Sequence, residues 1–121
     1  MALTNPSASP PAWINPVLLN NWANVGGTLA SCQYRKFDNI VEIKGIVQPL
    51  TGTTPASGSI LMNLPSGYRP LQTRYFGQWA NSSGAYVMGL FRIGNNGDCS
   101  LFFTATSITS FATQLLFVAE Q

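Results

Sequence analysis

The sequence predicts an all-β domain, an antiparallel and jelly-roll-like β-sandwich, on three observations. Short runs of alternating apolar and polar residues recur along the chain, the period of two that a half-buried strand requires. Gly, Pro and Asn clusters separate these runs at close spacing, as in sandwiches and barrels. No stretch keeps an apolar period of 3.6 through three turns, so no long helix is expected. The 121 residues make one domain, and a hydrophobic content of 45% is enough for a real core.

Residues 1–12 read as a leader, because three prolines among small polar residues cannot build a core. The domain proper is expected over residues 13–121. From Trp13 to Trp22 the chain is apolar but broken by Pro16 and by the Asn20-Asn21 turn, which predicts short extended pieces with both tryptophans capping the core. Leu29–Phe37 and Ile40–Val47 read as strands. Asp38-Asn39 between them makes a hairpin, with Val41, Ile43 and Val47 on the inner face. Leu50–Gly58 is a loop by composition. Ser59–Leu64 is a strand with Ile60, Met62 and Leu64 inward.

The stretch Leu64-Pro65-Ser66-Gly67-Tyr68-Arg69-Pro70 is a rigid corner. Two prolines fix φ and restrict their predecessors, Gly67 supplies the reversal, and Tyr68 is an aromatic anchor. Arg74–Ala80 is a strand with aromatics on both faces, followed by the turn Asn81–Gly84. Ala85–Ile93 and Cys99–Thr104 are strands around the turn Gly94–Asp98. Leu101 and Phe103 are assigned to the core. Phe111–Glu120 closes the chain as one strand that is apolar on both faces, so a second subunit is expected to cover one of them.

Composition excludes several classes of function. Charged residues are only 8%, against about 25% in an average domain. The six basic residues are scattered, so no nucleic-acid footprint exists. No apolar run has the ~20 residues of a membrane span, so no membrane insertion is expected. The chain has no histidine, which removes Ser-His and Cys-His dyads and most zinc sites. The four acids Asp38, Glu42, Asp98 and Glu120 show no pairing that a glycosidase would need, so no catalytic residue is assigned. No cofactor is expected. Asn95, Asn96 and Asp98 offer oxygen ligands, but one carboxylate with two amides reads as a plain turn rather than a calcium site. Cys32 and Cys99 read as two buried thiols in preference to a disulfide.

The order of four pieces carries a resemblance. Leu18-Leu19-Asn20-Asn21-Trp22, Gln33-Tyr34-Arg35-Lys36, Val41-Glu42-Ile43-Lys44-Gly45 and the Leu64–Pro70 corner together resemble the C-terminal head module of bacteriophage tail-fibre and baseplate proteins. The likeness spans Trp13 to Pro70, and the corner is its most specific part. One departure is Asn21, where that family has glycine, which is harmless if Asn21 is left-handed. The resemblance implies a β-sandwich head, commonly a homotrimer, joined to upstream tail or baseplate proteins. It implies a place at the tail tip of a virion assembled in the bacterial cytoplasm, and binding to a bacterial surface saccharide. The second half varies in that family, so no ligand transfers.

Within that second half, Trp79, Asn81, Ser82 and Tyr86 surround one turn and join aromatic faces to amide and hydroxyl groups, the combination a sugar site uses. A second polar turn holds Asn95, Asn96 and Asp98. Both turns are expected at the end of the domain far from the leader. The competing reading makes Trp79 and Tyr86 core or interface residues, and the chain a purely structural virion protein, a fibre-tip cap or capsid decoration.

Overall fold

The structure, a computed structural model, describes residues 10–120; most of the leader expected over residues 1–12 therefore lies outside the described residues. The described residues contain ten strands and no helix. They are β1 (Trp22–Asn24), β2 (Gln33–Phe37), β3 (Ile40–Lys44), β4 (Ile46–Pro49), β5 (Ser59–Asn63), β6 (Arg74–Ser82), β7 (Ala85–Ile93), β8 (Asp98–Phe102), β9 (Ser110–Ala112) and β10 (Leu115–Val118). A seven-stranded sheet runs β1-β4-β9-β6-β7-β8-β5, and a three-stranded sheet runs β10-β3-β2. All the pairings are antiparallel. Between the two sheets lies one core of Trp22, Ile43, Val47, Leu61, Met62, Phe91, Ile93, Leu101 and Phe111, all buried. This is the two-sheet sandwich that the patterning predicts.

Two strands read as continuous are each divided between the sheets. The run expected over Ile40–Val47 breaks at Gly45, so β3 lies in the small sheet and β4 in the large one. The closing run breaks at Thr113-Gln114 in the same way, into β9 and β10. The breaks face each other, since the Thr113 amide and hydroxyl both donate to the Gly45 carbonyl at 3.0 Å. Gly45 has φ of +124°, and a Cβ there would stand 2.5 Å from Cys32 backbone atoms. Only glycine fits both the conformation and the space. Period two survives the corner, which keeps Val41, Ile43 and Val47 on the core side and fully buried.

The tight turns follow their residues. Asp38-Asn39 and Asn20-Asn21 hold φ between +49° and +67° at both positions, the left-handed pair that a two-residue type I′ turn needs. Asn21 therefore does what glycine would do. In the proline corner the Tyr68 amide bonds the Pro65 carbonyl at 3.1 Å and Gly67 has φ of +93°, a type II turn. The Tyr68 ring meets Tyr34 edge-on at 5.3 Å, so the anchor is as expected.

Four other expectations are corrected. The strand read over Leu29–Phe37 begins only at Gln33, because Cys32 bonds the Asn24 side chain (2.7 Å) instead of a strand partner. A bulge between Ile60 and Met62 turns Leu61 inward and leaves Ile60 partly exposed. Trp13 caps no core: its ring lies between Arg35 and Lys44, at 4.1 and 4.5 Å from its centroid. In β10, Phe117 is buried, but Leu116 and Val118 face outward and are about half exposed. With Ile40 and Phe37 in register beside Val118, they form an apolar row on the outer face of the small sheet.

Candidate functional site

The longest ladder in the molecule is the β6–β7 hairpin, with nine residues in each strand. Register fixes its faces. Phe76, Ala80, Val87, Phe91 and Ile93 point to the core, and the alternate positions point to solvent. Along the outer face the opposed pairs are Asn81 with Tyr86, Trp79 with Met88, Gly77 with Leu90, and Tyr75 with Arg92. Tyr86 is 77% exposed, Met88 71%, and Trp79 42%. Tyr75 and Leu90 are exposed as well. A soluble monomer rarely leaves so many large apolar side chains contiguous, and such a patch marks a contact surface.

At the hairpin tip the rings of Trp79 and Tyr86 meet edge to face, 5.7 Å apart and inclined at 80°. The pair is diagonal on the ladder, which holds both rings without burying either. Ser83 and Gly84 make the turn with positive φ, and the Gly84 amide donates to Asn81 Oδ1 at 2.9 Å. That bond orients the amide and leaves its Nδ2 as a donor beside the rings. Ser82 donates its hydroxyl to the Ser107 carbonyl, and Thr109 accepts from the Ser83 amide at 3.0 Å. The tip is thus a braced platform of two aromatic faces edged by amide and hydroxyl groups.

The second group of candidates is elsewhere. Asn95, Asn96 and Asp98 lie at the β7–β8 turn, past the opposite end of β7, whose last residue Ile93 is about 24 Å from Tyr86 at 3.4 Å per residue. Their polar atoms are largely spent on one another. Asp98 accepts from Asn63 at 2.7 Å and from Asn96 at 3.1 Å, while Asn96 Oδ1 accepts from the Asp98 amide at 3.0 Å. The Leu64 amide donates to the Gly97 carbonyl at 2.8 Å, which ties the proline corner to this turn, and Arg69 braces the corner from within by donating to the Leu64 carbonyl at 2.8 Å.

Contacts also show which end the incoming chain meets. Ile14 pairs antiparallel with Tyr34, and Trp13 stacks on Arg35, which directs residues 10–12 toward the Asp38–Asn39 turn. That turn bonds Ala119, Glu120 bonds Arg69, Arg69 reaches Asn63, and Asn63 is paired with Asp98. The start of the described chain at residues 10–14 and the β7–β8 turn therefore share one end. Of the two turns, Asn81–Gly84 lies at the end away from residues 10–14, while most of the leader itself lies outside the described residues.

Sequence reading missed Tyr75, Met88 and Leu90 as parts of the exposed face. The signal was the strand with aromatics on both faces, which needs a partner for its outer face as well as its inner one. Glu42 is held by Arg35 at 3.0 Å, Glu120 by Arg74 at 3.9 Å, and Asp98 as above. Both cysteines are free and buried. Burial pushes the Cys32 thiol from 9.0 up to about 11, against a lowering hydrogen bond with Thr113. Burial also raises the Cys99 thiol, with Cys32 and Asp98 adding to the rise. Neither thiol is a nucleophile at neutral pH.

The two-sheet architecture is a fold found in bacteriophage receptor-binding proteins. It is shared with the receptor-binding protein gp15 of Listeria phage PSA, at 18% identity and a TM-score of 0.71, over 99% of this chain and 71% of that one. The head domain of lactococcal phage bIL170 shares it too, at 13% identity and a TM-score of 0.63, over 92% of this chain and 99% of that one. No protein-family model matches the chain, and no curated protein matches it.

Proposed function

We propose that this chain is the receptor-binding head of a bacteriophage tail, which attaches the virion to a saccharide on the host surface through the tip of the β6–β7 hairpin. The observation that carries the reading is the exposed Trp79–Tyr86 pair with the fixed Asn81 amide at its edge. An aromatic face accepts the apolar C–H face of a sugar ring, and the amide meets its hydroxyls. The shared fold supports the reading, since both neighbours are receptor-binding proteins of phages. The polarity of the domain agrees: the chain enters toward one end, where upstream tail or baseplate proteins would hold it, and the tip lies at the other.

The head is further proposed to work as a homotrimer at the tail tip. The apolar row of Val118, Ile40 and Phe37 on the small sheet is the face that neighbouring subunits would cover. A shallow platform binds one sugar weakly, and three copies raise the avidity by linking the events.

The experiment is attachment of folded head to host cells. Trp79→Ala and Tyr86→Ala are expected to weaken attachment at least tenfold, the effect of losing about 1.4 kcal/mol at each linked site. Asn96→Ala, in the braced turn at the other end, is expected to leave attachment unchanged. If Asn96→Ala alone weakens it, the site lies at the β7–β8 end. If no variant matters with fold and assembly intact, the structural virion reading takes its place.

A further inference from the structure

We infer that the saccharide taken by this surface is electrically neutral and carries a methyl group, from a 6-deoxy or an N-acetyl substituent, that enters the groove between β7 and β8. The inference rests on the proposed function above and names the ligand class for that same site.

Charge is the first observation. The chain has six basic and four acidic side chains and no histidine, and all ten charged groups lie within the described residues. Arg92 alone is on the outer face of the β6–β7 hairpin. It stands opposite Tyr75, two rows from Trp79 and three from the Asn81–Tyr86 pair, distances of about 14 and about 20 Å at 3.4 Å per residue. The other charges sit on the small sheet and its turn, on the proline corner, and at the β7–β8 end beside Glu120. A phosphate or carboxylate placed on Trp79 and Tyr86 would lose hydration and meet no cation in return. A neutral sugar has no such cost.

The groove is the second observation. Met88 faces Trp79 directly across the ladder, and beyond Met88 a cleft of about 330 Å³ opens, walled by Leu90, Phe102 and Phe103. Ser57 and Thr104 form its rim, and the Ser57 hydroxyl is already fixed as acceptor of the Phe103 amide at 2.9 Å. A sugar stacked on Trp79 would carry its ring substituent over Met88 into this cleft. A hydroxyl placed between Leu90, Phe102 and Phe103 loses water against mostly carbon walls, with the Ser57 and Thr104 hydroxyls only at the rim, whereas a methyl gains by leaving water. The platform and the cleft share Met88, so one ligand spans both.

The test uses matched sugars on an array, presented to the assembled head: L-rhamnose against L-mannose, L-fucose against L-galactose, and N-acetylglucosamine against glucose. The first two pairs differ by the 6-deoxy methyl and the third by the acetamide, which separates the two sources. The expected result is about a tenfold preference for the methyl-bearing member of at least one pair, the scale of one apolar group in an apolar pocket. That preference is expected to be equal at about 0.01 M and about 1 M salt, where screening lengths are ~30 Å and ~3 Å. Leu90→Ser, at an exposed position, is expected to erase the ratio. Thr104→Tyr, which fills the cleft from its exposed rim, gives the same reading if Leu90→Ser does not fold. Equal binding of every pair, with Trp79→Ala still abolishing it, overturns this inference and leaves the proposed function standing. A preference for acidic glycans that fades with salt overturns it too, as does a change in oligomer mass in place of sugar selectivity when Leu90 is replaced. If no sugar is retained, or Trp79→Ala binds as the parent does, the proposed function falls and this inference with it.

Discussion

Ile43, on β3, and Gly45, at the break that follows it, lie two residues apart and are constrained for different reasons. Ile43 is fully buried between the sheets, so Ile43→Ala is expected to cost about 2–5 kcal/mol in urea unfolding. A loss below about 0.5 kcal/mol would mean that the core closes over the cavity or that Ile43 is not in it. Gly45 has no core side chain to lose, yet any Cβ there meets the Cys32 backbone. Gly45→Ala is expected to destabilise by more than about 1 kcal/mol, because strain and a steric clash act together. Cys32 supplies a pH signature. Its thiol is protonated in the fold up to about pH 11 and in the unfolded chain only up to about 9. The folded state therefore binds the extra proton between those values, so stability is flat below pH 9 and falls above it, by about 1.4 kcal/mol for each pH unit. Cys99 and Tyr34, both raised by burial, deepen the same alkaline fall. Thermal melts of the parent and of Cys32→Ala from pH 7 to 11 measure it, and an alkaline slope that is unchanged in Cys32→Ala would remove Cys32 as a cause.

At the scale of elements, the hairpins show what local sequence can encode. Asp38-Asn39 and Asn20-Asn21 read as turns because Asn and Asp tolerate left-handed backbone, and both do so here. Asn39→Val is expected to cost about 1–2 kcal/mol, since a β-branched residue at φ of +62° is disfavoured by that amount. Equal urea midpoints for parent and variant would show that the turn relaxes freely. The divided strands were not legible for the same local reason. Ile40–Val47 keeps its alternation through Gly45, so nothing in the pattern marks where the strand leaves one sheet for the other. The partner break at Thr113 lies far along the chain and is fixed only when the two corners meet. The bulge after Ile60 escapes notice because Ile60, Leu61 and Met62 are all apolar, and period two cannot say which of three points inward. The site divides similarly. Trp79, Asn81, Ser82 and Tyr86 flank one turn in sequence and are neighbours in space. Met88, Leu90 and Phe102 become neighbours only through strand register.

The described residues form two ends and two apolar outer faces, each suited to a different contact. The end with the proline corner, the C-terminal residues and the β7–β8 turn is cross-bonded and meets the incoming chain. The apolar row of the small sheet is the face proposed to meet neighbouring subunits, and on that proposal light scattering is expected to give about three times 13.0 kDa. A mass of one chain at micromolar concentration would leave Leu116 and Val118 exposed without a purpose. The central claim is that the hairpin tip touches the host saccharide. Its most direct measurement follows the three tryptophan indole N–H resonances while host surface polysaccharide is titrated into the folded head. Trp22 is buried and donates to the Ser59 hydroxyl at 3.0 Å, so its signal serves as an internal reference. The account predicts that the Trp79 signal shifts and saturates while those of Trp22 and Trp13 stay in place. A Trp79 signal that remains fixed while the polysaccharide demonstrably binds would contradict it.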